Sequence, residues 1–68
     1  MIVTVNGQAR ELPPSATLAS VVELLGGAPG ARGVAVALNG EVVARCHWLE
    51  TELPEGARIE VVSAIQGG

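Results

Sequence analysis

The sequence predicts an α+β fold in which one main helix packs on one face of a mixed sheet of about five strands. Two observations carry this prediction. A short apolar run precedes each of two Asn-Gly dipeptides and a possible return strand follows each, and a single segment with helical apolar spacing lies between these two hairpins. The predicted order is ββαβββ, in one small domain (residues 1–64) followed by a flexible C-terminal tail (residues 65–68) that ends in Gly-Gly.

The first hairpin has a clear turn signal. Asn6-Gly7 predicts a type I′ turn, because this turn needs positive φ at both of its central residues. The return strand, residues 8–12, is mostly polar and stops at two prolines, so we expect it at an edge of the sheet with Leu12 turned inward. The preceding strand places three alternate apolar side chains on one face: Met1, Val3 and Val5.

The helix is predicted to begin after Thr17, whose side chain can accept a hydrogen bond from a backbone N–H of the first turn; Ser15 is the alternative cap. Gly26-Gly27 is expected to end it, and a loop rich in glycine, residues 28–33, follows. Four residues at helical spacing predict the face that packs on the sheet: Leu18, Val21, Val22 and Leu25.

The second hairpin, residues 34–43, turns at Asn39-Gly40, and its nearly all-apolar first strand predicts an interior place in the sheet. Residues 44–52 look irregular, with room for one helical turn, and Leu53-Pro54-Glu55-Gly56 predicts a turn.

The last strand is predicted over residues 58–65, with Ile59 and Val61 facing the core and Arg58 and Glu60 facing water. A right-handed crossover would let the first and last strands pair in parallel near the sheet centre. This is the β-grasp arrangement of ubiquitin-like folds. It would leave the last three residues beyond the sheet, a reach of about 10 Å.

Composition narrows the classes of function. The formal net charge is −3 and there is no basic run, which argues against nucleic acid as a partner. No apolar run approaches the length of a membrane span and no signal-peptide layout opens the chain, so a cytoplasmic protein is expected. One cysteine, one histidine and no aspartate give no disulfide and no metal site, and a single small domain is a poor enzyme candidate.

The Gly67-Gly68 pair is the candidate functional element. Without a Cβ, these residues can lie extended in a channel too narrow for side chains and leave a terminal carboxylate unhindered. That geometry suits a group that another enzyme must activate.

Taken together, the chain resembles the ThiS family, the ubiquitin-like sulfur carrier proteins of thiamine biosynthesis, over essentially its whole length. Two departures from the family pattern, Ala44 and Ala57, lie in connections remote from the tail. The residues that carry the resemblance are the run 36–43, Arg45, Trp48, Leu53, Gly56, the strand 59–62 and the terminal run Ala64-Ile65-Gln66-Gly67-Gly68.

The resemblance implies a carrier cycle rather than an enzyme. A ubiquitin-activating-like enzyme would use ATP to adenylate the Gly68 carboxylate, with Gln66, Gly67 and Gly68 threading into that partner. A sulfur donor such as a cysteine desulfurase would convert the adenylate to a thiocarboxylate, which thiazole synthase would accept. The carrier itself would bind no cofactor.

Several other residues are candidate functional sites. Cys46 is a candidate persulfide relay, although a structural role is favoured; His47 with Glu50 or Glu52 is a candidate acid/base pair, although a solvated surface is favoured. Trp48 is predicted to plug the core beneath the irregular segment, and Val62 is a candidate docking position on the sheet.

Two alternative functions stay open. The same fold and tail serve carriers for molybdopterin and for cysteine synthesis. A β-grasp module could also bind partners through its sheet without ever being activated.

Overall fold

The computed structural model describes residues 1–25 and 33–63, which form one five-stranded sheet with a helix on one face. The sheet order is β2-β1-β5-β3-β4. The elements in chain order are β1 (Ile2–Val5), β2 (Gln8–Glu11), α1 (Leu18–Leu24), β3 (Val34–Leu38), β4 (Glu41–Val43), a 3₁₀ helix (Arg45–Glu50) and β5 (Arg58–Ser63). The predicted order ββαβββ and the β-grasp fold are confirmed.

Both Asn-Gly turns adopt the predicted backbone. Asn6 and Gly7 have φ of 51° and 84°, and Asn39 and Gly40 have φ of 50° and 88°. Glycine tolerates this left-handed region freely and asparagine better than most residues. The two turns therefore set the register of both hairpins, with Val5 opposite Gln8 and Leu38 opposite Glu41.

Helix α1 begins as predicted at Thr17. The Thr17 Oγ1 accepts a hydrogen bond from the Ser20 N–H, and the Ser20 Oγ accepts one from the Thr17 N–H. The two bonds form a complete capping box. Leu18, Val21 and Val22 are buried, but the prediction for Leu25 is wrong: it follows the last helical residue and is 39% exposed. Leu25 is the C-cap residue, and its ψ of 7° departs from the helical value of about −42°.

Strand β5 occupies the centre of the sheet. It pairs in parallel with β1 through Thr4↔Arg58 and Val5↔Ile59, and antiparallel with β3 from Ile59 to Ser63. The predicted parallel pairing of the first and last strands is thus confirmed, and the strand that leads to the tail is flanked on both sides.

The core lies between α1 and one sheet face. Val3, Val5, Val36 and Ile59 are its central strand residues, each 1% exposed or less. Trp48, 2% exposed, closes the core beneath the 3₁₀ helix, as predicted. Within residues 1–25 and 33–63, no helix has the length and apolar character that crossing a bilayer requires.

Candidate functional site

The predicted site residues Gln66, Gly67 and Gly68 lie outside the described residues, which end at Ser63. What the structure defines is the base from which that segment starts. Covalent geometry allows the five residues after Ser63 to span at most about 18 Å. The position and direction of the last residues of β5 therefore decide which surface of a partner Gly68 can reach.

One edge of β5 is paired up to its end. Strand β3 runs antiparallel beside it, and the register continues from Leu38↔Ile59 to Val34↔Ser63. Strand β3 thus supports β5 to Ser63, the last residue that the structure describes.

The other edge of β5 loses its strand partner earlier, because β1 ends at Val5, opposite Ile59. The side chain of Asn6 takes over from the strand. Its Oδ1 accepts a hydrogen bond of 2.8 Å from the Val61 N–H, and its Nδ2 donates one of 3.2 Å to the Val61 carbonyl. The primary amide thereby substitutes for one peptide group of a longer β1.

Asn39, in the other Asn-Gly turn, contacts the opposite end of β5. Its Oδ1 accepts a hydrogen bond of 2.8 Å from the Arg58 N–H, and its own N–H donates to the Arg58 carbonyl at 2.7 Å. Asn39 therefore fixes Arg58, the first residue of β5, and Asn6 fixes Val61, near its end. Sequence analysis found both turns but neither side-chain role.

The sheet face opposite α1 carries an apolar patch. Residues directly paired across strands share a face, and the buried Val36 and half-buried Val61 point toward the helix. Ala35↔Val62 and Ala37↔Val42 must then point away from it. We call these four residues, Ala35, Ala37, Val42 and Val62, the sheet patch; Val42 is 78% and Val62 61% exposed.

The sheet patch adjoins the base of the tail. Val62 immediately precedes Ser63, and Glu60, exposed on the same face opposite Ala37, borders the patch with a negative charge. A partner that held the segment after Ser63 would lie next to this surface.

The remaining candidates sit on the 3₁₀ helix. His47 Nδ1 lies 2.9 Å from Glu50 Oε2, and both side chains are mostly exposed, which agrees with the predicted solvated surface. Cys46 is exposed as well, so it does not pack in the core. Trp48 is buried and donates its indole N–H to the Val43 carbonyl. Among the residues described, no group of three His, Cys, Asp or Glu side chains is placed to hold a metal ion.

Comparison with known proteins agrees with this geometry. No curated protein sequence matches the chain significantly. A solved structure, the thiamine biosynthesis protein ThiS from Geobacter metallireducens, is similar with a TM-score of 0.78 and 31% identity, and the alignment covers 100% of each chain. The ThiS family model matches residues 3–68, which include β1, the central strand β5 and the terminal glycines. A match of this extent, on a sheet with the same order of elements, shows that the chain belongs to the ThiS family.

Proposed function

We propose that this protein is a sulfur carrier of thiamine biosynthesis, whose Gly68 carboxylate is activated and converted to a thiocarboxylate that donates sulfur to the thiazole ring. The observation that carries the proposal is the family match over residues 3–68, which takes in the Gly-Gly end as well as the folded body. The likeness to a protein named for thiamine biosynthesis favours this pathway over the other carrier pathways.

The chemistry needs an activating partner. A carboxylate is a poor electrophile, so one of its oxygens first attacks the α-phosphorus of ATP and pyrophosphate leaves. The terminal sulfur of a donor persulfide then adds to the acyl carbon of the adenylate, and AMP leaves with the original carboxylate oxygen. A thiol next attacks the donor sulfur of the acyl disulfide, supplies two electrons by forming a disulfide with the donor, and releases the thiocarboxylate. The ATP belongs to a ubiquitin-activating-like enzyme, and the sulfur comes from a donor such as a cysteine desulfurase. The carrier supplies placement and a reactive end, and no catalytic group of its own.

The residues beyond β5 would thread into the partner. Gly67 and Gly68 carry no side chain, so a narrow channel that excludes other residues can admit them together with the backbone of Gln66. A carboxylate presented in this way can attack the α-phosphorus of ATP, and the thiocarboxylate formed from it is accessible to thiazole synthase.

The sheet patch is the proposed docking surface for the adenylating enzyme. Val62 lies in the strand that leads to Gly68, and Val42 extends the apolar area across β3 to β4. Because Val62 immediately precedes Ser63, an enzyme that binds the segment leading to Gly68 can contact this patch at the same time. Burial of exposed valine there would favour binding at about 25 cal/mol per Å² before the costs of association.

The proposal places the protein in the cytoplasm, where ATP and cysteine desulfurases are available. A carrier for molybdopterin or cysteine synthesis is the alternative within the same class, and an unactivated interaction module is the alternative outside it. A pull-down distinguishes a thiamine carrier from a molybdopterin carrier, because the first should capture thiazole synthase and the second the large subunit of molybdopterin synthase.

The central experiment follows the terminal carboxyl group by mass spectrometry. The protein is incubated with ATP, the adenylating enzyme, a cysteine desulfurase with cysteine, and a thiol reductant, and we expect one oxygen of Gly68 to be replaced by sulfur. Deletion of Gly68, or extension of the chain beyond it, should abolish the change while the circular dichroism spectrum is retained.

Cys46→Ser is the matched control and should accept sulfur normally, because Cys46 has no part in the proposal. A chain without Gly68 that still gains sulfur would refute the proposal. Sulfur found on Cys46 instead would restore the persulfide relay.

A further inference from the structure

We propose that Asn6 is a positioning residue for the reactive end: its amide holds the last part of β5 on the β1 side and so sets the base from which Gly68 is presented. This inference rests on the proposed function. It starts from the two hydrogen bonds that join Asn6 to the backbone of Val61.

The backbone of β5 shows why these bonds matter. On the β1 side, the Thr4 N–H donates to the Ala57 carbonyl and the Asn6 N–H donates to the Ile59 carbonyl, each at 2.9 Å. Backbone groups on one edge of a strand belong to alternate residues, so the next to face β1 are those of Val61. Strand β1 has ended by then, and the Asn6 side chain meets both groups.

The consequence concerns the start of the tail. With Asn6, β5 is bonded on two edges as far as Val61 and on one edge to Ser63. Without it, the last three residues of β5 are held by β3 alone, as an edge strand is. Fixing the backbone of a residue carries an entropy cost. Because Asn6 already holds the end of β5, less conformational entropy is lost there when the partner binds.

The chain contains its own matched control. Asn39 precedes a glycine, has φ of 50° against 51° for Asn6, and also accepts a hydrogen bond from a β5 N–H. That N–H belongs to Arg58, at the end of β5 remote from Ser63. Asn6→Gly and Asn39→Gly each remove an equivalent amide from an equivalent turn and keep a residue that accepts positive φ.

The test compares steady-state adenylation of the two variants, followed by pyrophosphate release with ATP and the adenylating enzyme. We expect Asn6→Gly to raise KM for the carrier about five-fold or more with kcat little changed, since the lost order must be restored on binding. Asn39→Gly should leave KM near the wild-type value. Equal KM values for the two variants, or no rise for Asn6→Gly, would overturn the proposal.

A second measurement uses the isolated protein. Amide hydrogen exchange should accelerate at Val61 in Asn6→Gly and not in Asn39→Gly, and NMR relaxation should show greater motion at Val62 and Ser63 in the first variant only. Unchanged motion there would contradict the positioning role even if KM rose. These readouts distinguish it from general destabilisation, which both variants share.

Asn6→Asp is a second variant that keeps the proposal testable if Asn6→Gly does not fold. Aspartate also tolerates positive φ and keeps an acceptor for the Val61 N–H, but it has no donor for the Val61 carbonyl. Its KM should fall between those of the wild type and Asn6→Gly. A wild-type KM would count against a role for the hydrogen bond to the Val61 carbonyl.

The experiment also separates the two proposals. Wild-type protein that is never adenylated would refute the proposed function itself. Normal adenylation of the wild type, with variants that cannot be distinguished from it, would refute only the role of Asn6.

Discussion

The indole N–H of Trp48 donates a hydrogen bond of 2.9 Å to the backbone carbonyl of Val43. This bond joins the 3₁₀ helix to β4, the edge strand from which it emerges. Because Trp48 is 2% exposed, its ring fills the core while its one polar group is satisfied. The 3₁₀ helix is thereby fixed against the end of β4.

We predict that Trp48→Phe lowers the free energy of unfolding by about 1–3 kcal/mol, since it leaves the Val43 carbonyl without this donor. Trp48→Ala should cost more, about 3–5 kcal/mol, because a cavity is added. Urea unfolding followed by circular dichroism measures both. Leu49→Ala, at a neighbouring side chain that is 78% exposed, is the control and should stay within about 0.5 kcal/mol of wild type. Equal losses for Trp48→Ala and Leu49→Ala would contradict the core role.

A second prediction concerns the start of α1. Thr17→Ala should cost about 0.5–1 kcal/mol, at the lower end for a cap because the Oγ1 contact with the Ser20 N–H is long, at 3.4 Å. Thr17→Ser should retain most of the stability. Ser15→Ala tests the alternative cap and should be nearly neutral, since the capping bonds are made by Thr17. A larger loss at Ser15 than at Thr17 in thermal unfolding would show that the cap is assigned to the wrong residue.

The third prediction tests the sheet patch. Val62→Asp should weaken binding to the adenylating enzyme about thirty-fold or more, the usual effect of disrupting a central interface residue. Leu24→Asp places the same charge at a side chain that is 50% exposed on α1, on the opposite side of the sheet, and should bind normally. Isothermal titration calorimetry gives both dissociation constants. Comparable weakening by the two substitutions would show that the enzyme does not select this face.

Much of the fold could be predicted because its strongest signals are local. An Asn-Gly pair dictates its turn from two adjacent residues, and alternation along β1 assigns its buried face from the same few residues. The end of the helix was harder to predict. Leu25 continues the apolar spacing of α1, yet the helix stops one residue earlier and leaves that side chain partly exposed.

The support for the site could not be predicted, for a physical reason. The contact between Asn6 and Val61 joins residues 55 positions apart, and it forms because β1 ends at Val5, opposite Ile59, two residues before Val61. Nothing in the residues around Asn6 separates this asparagine from Asn39, which contacts the other end of the same strand. Side-chain roles of this kind depend on register between distant strands.

The central place of β5 also has a consequence for biosynthesis of the protein. A nascent chain that has not yet emerged as far as Arg58 contains two hairpins and a helix, but no strand to join the hairpins, since β1 and β3 both pair with β5. Such a chain lacks the long-range contacts that complete the core and should stay unfolded at the ribosome. Assembly of the body would therefore wait for the last strand to be translated, so an incomplete product would be open to proteases rather than compete for the activating enzyme.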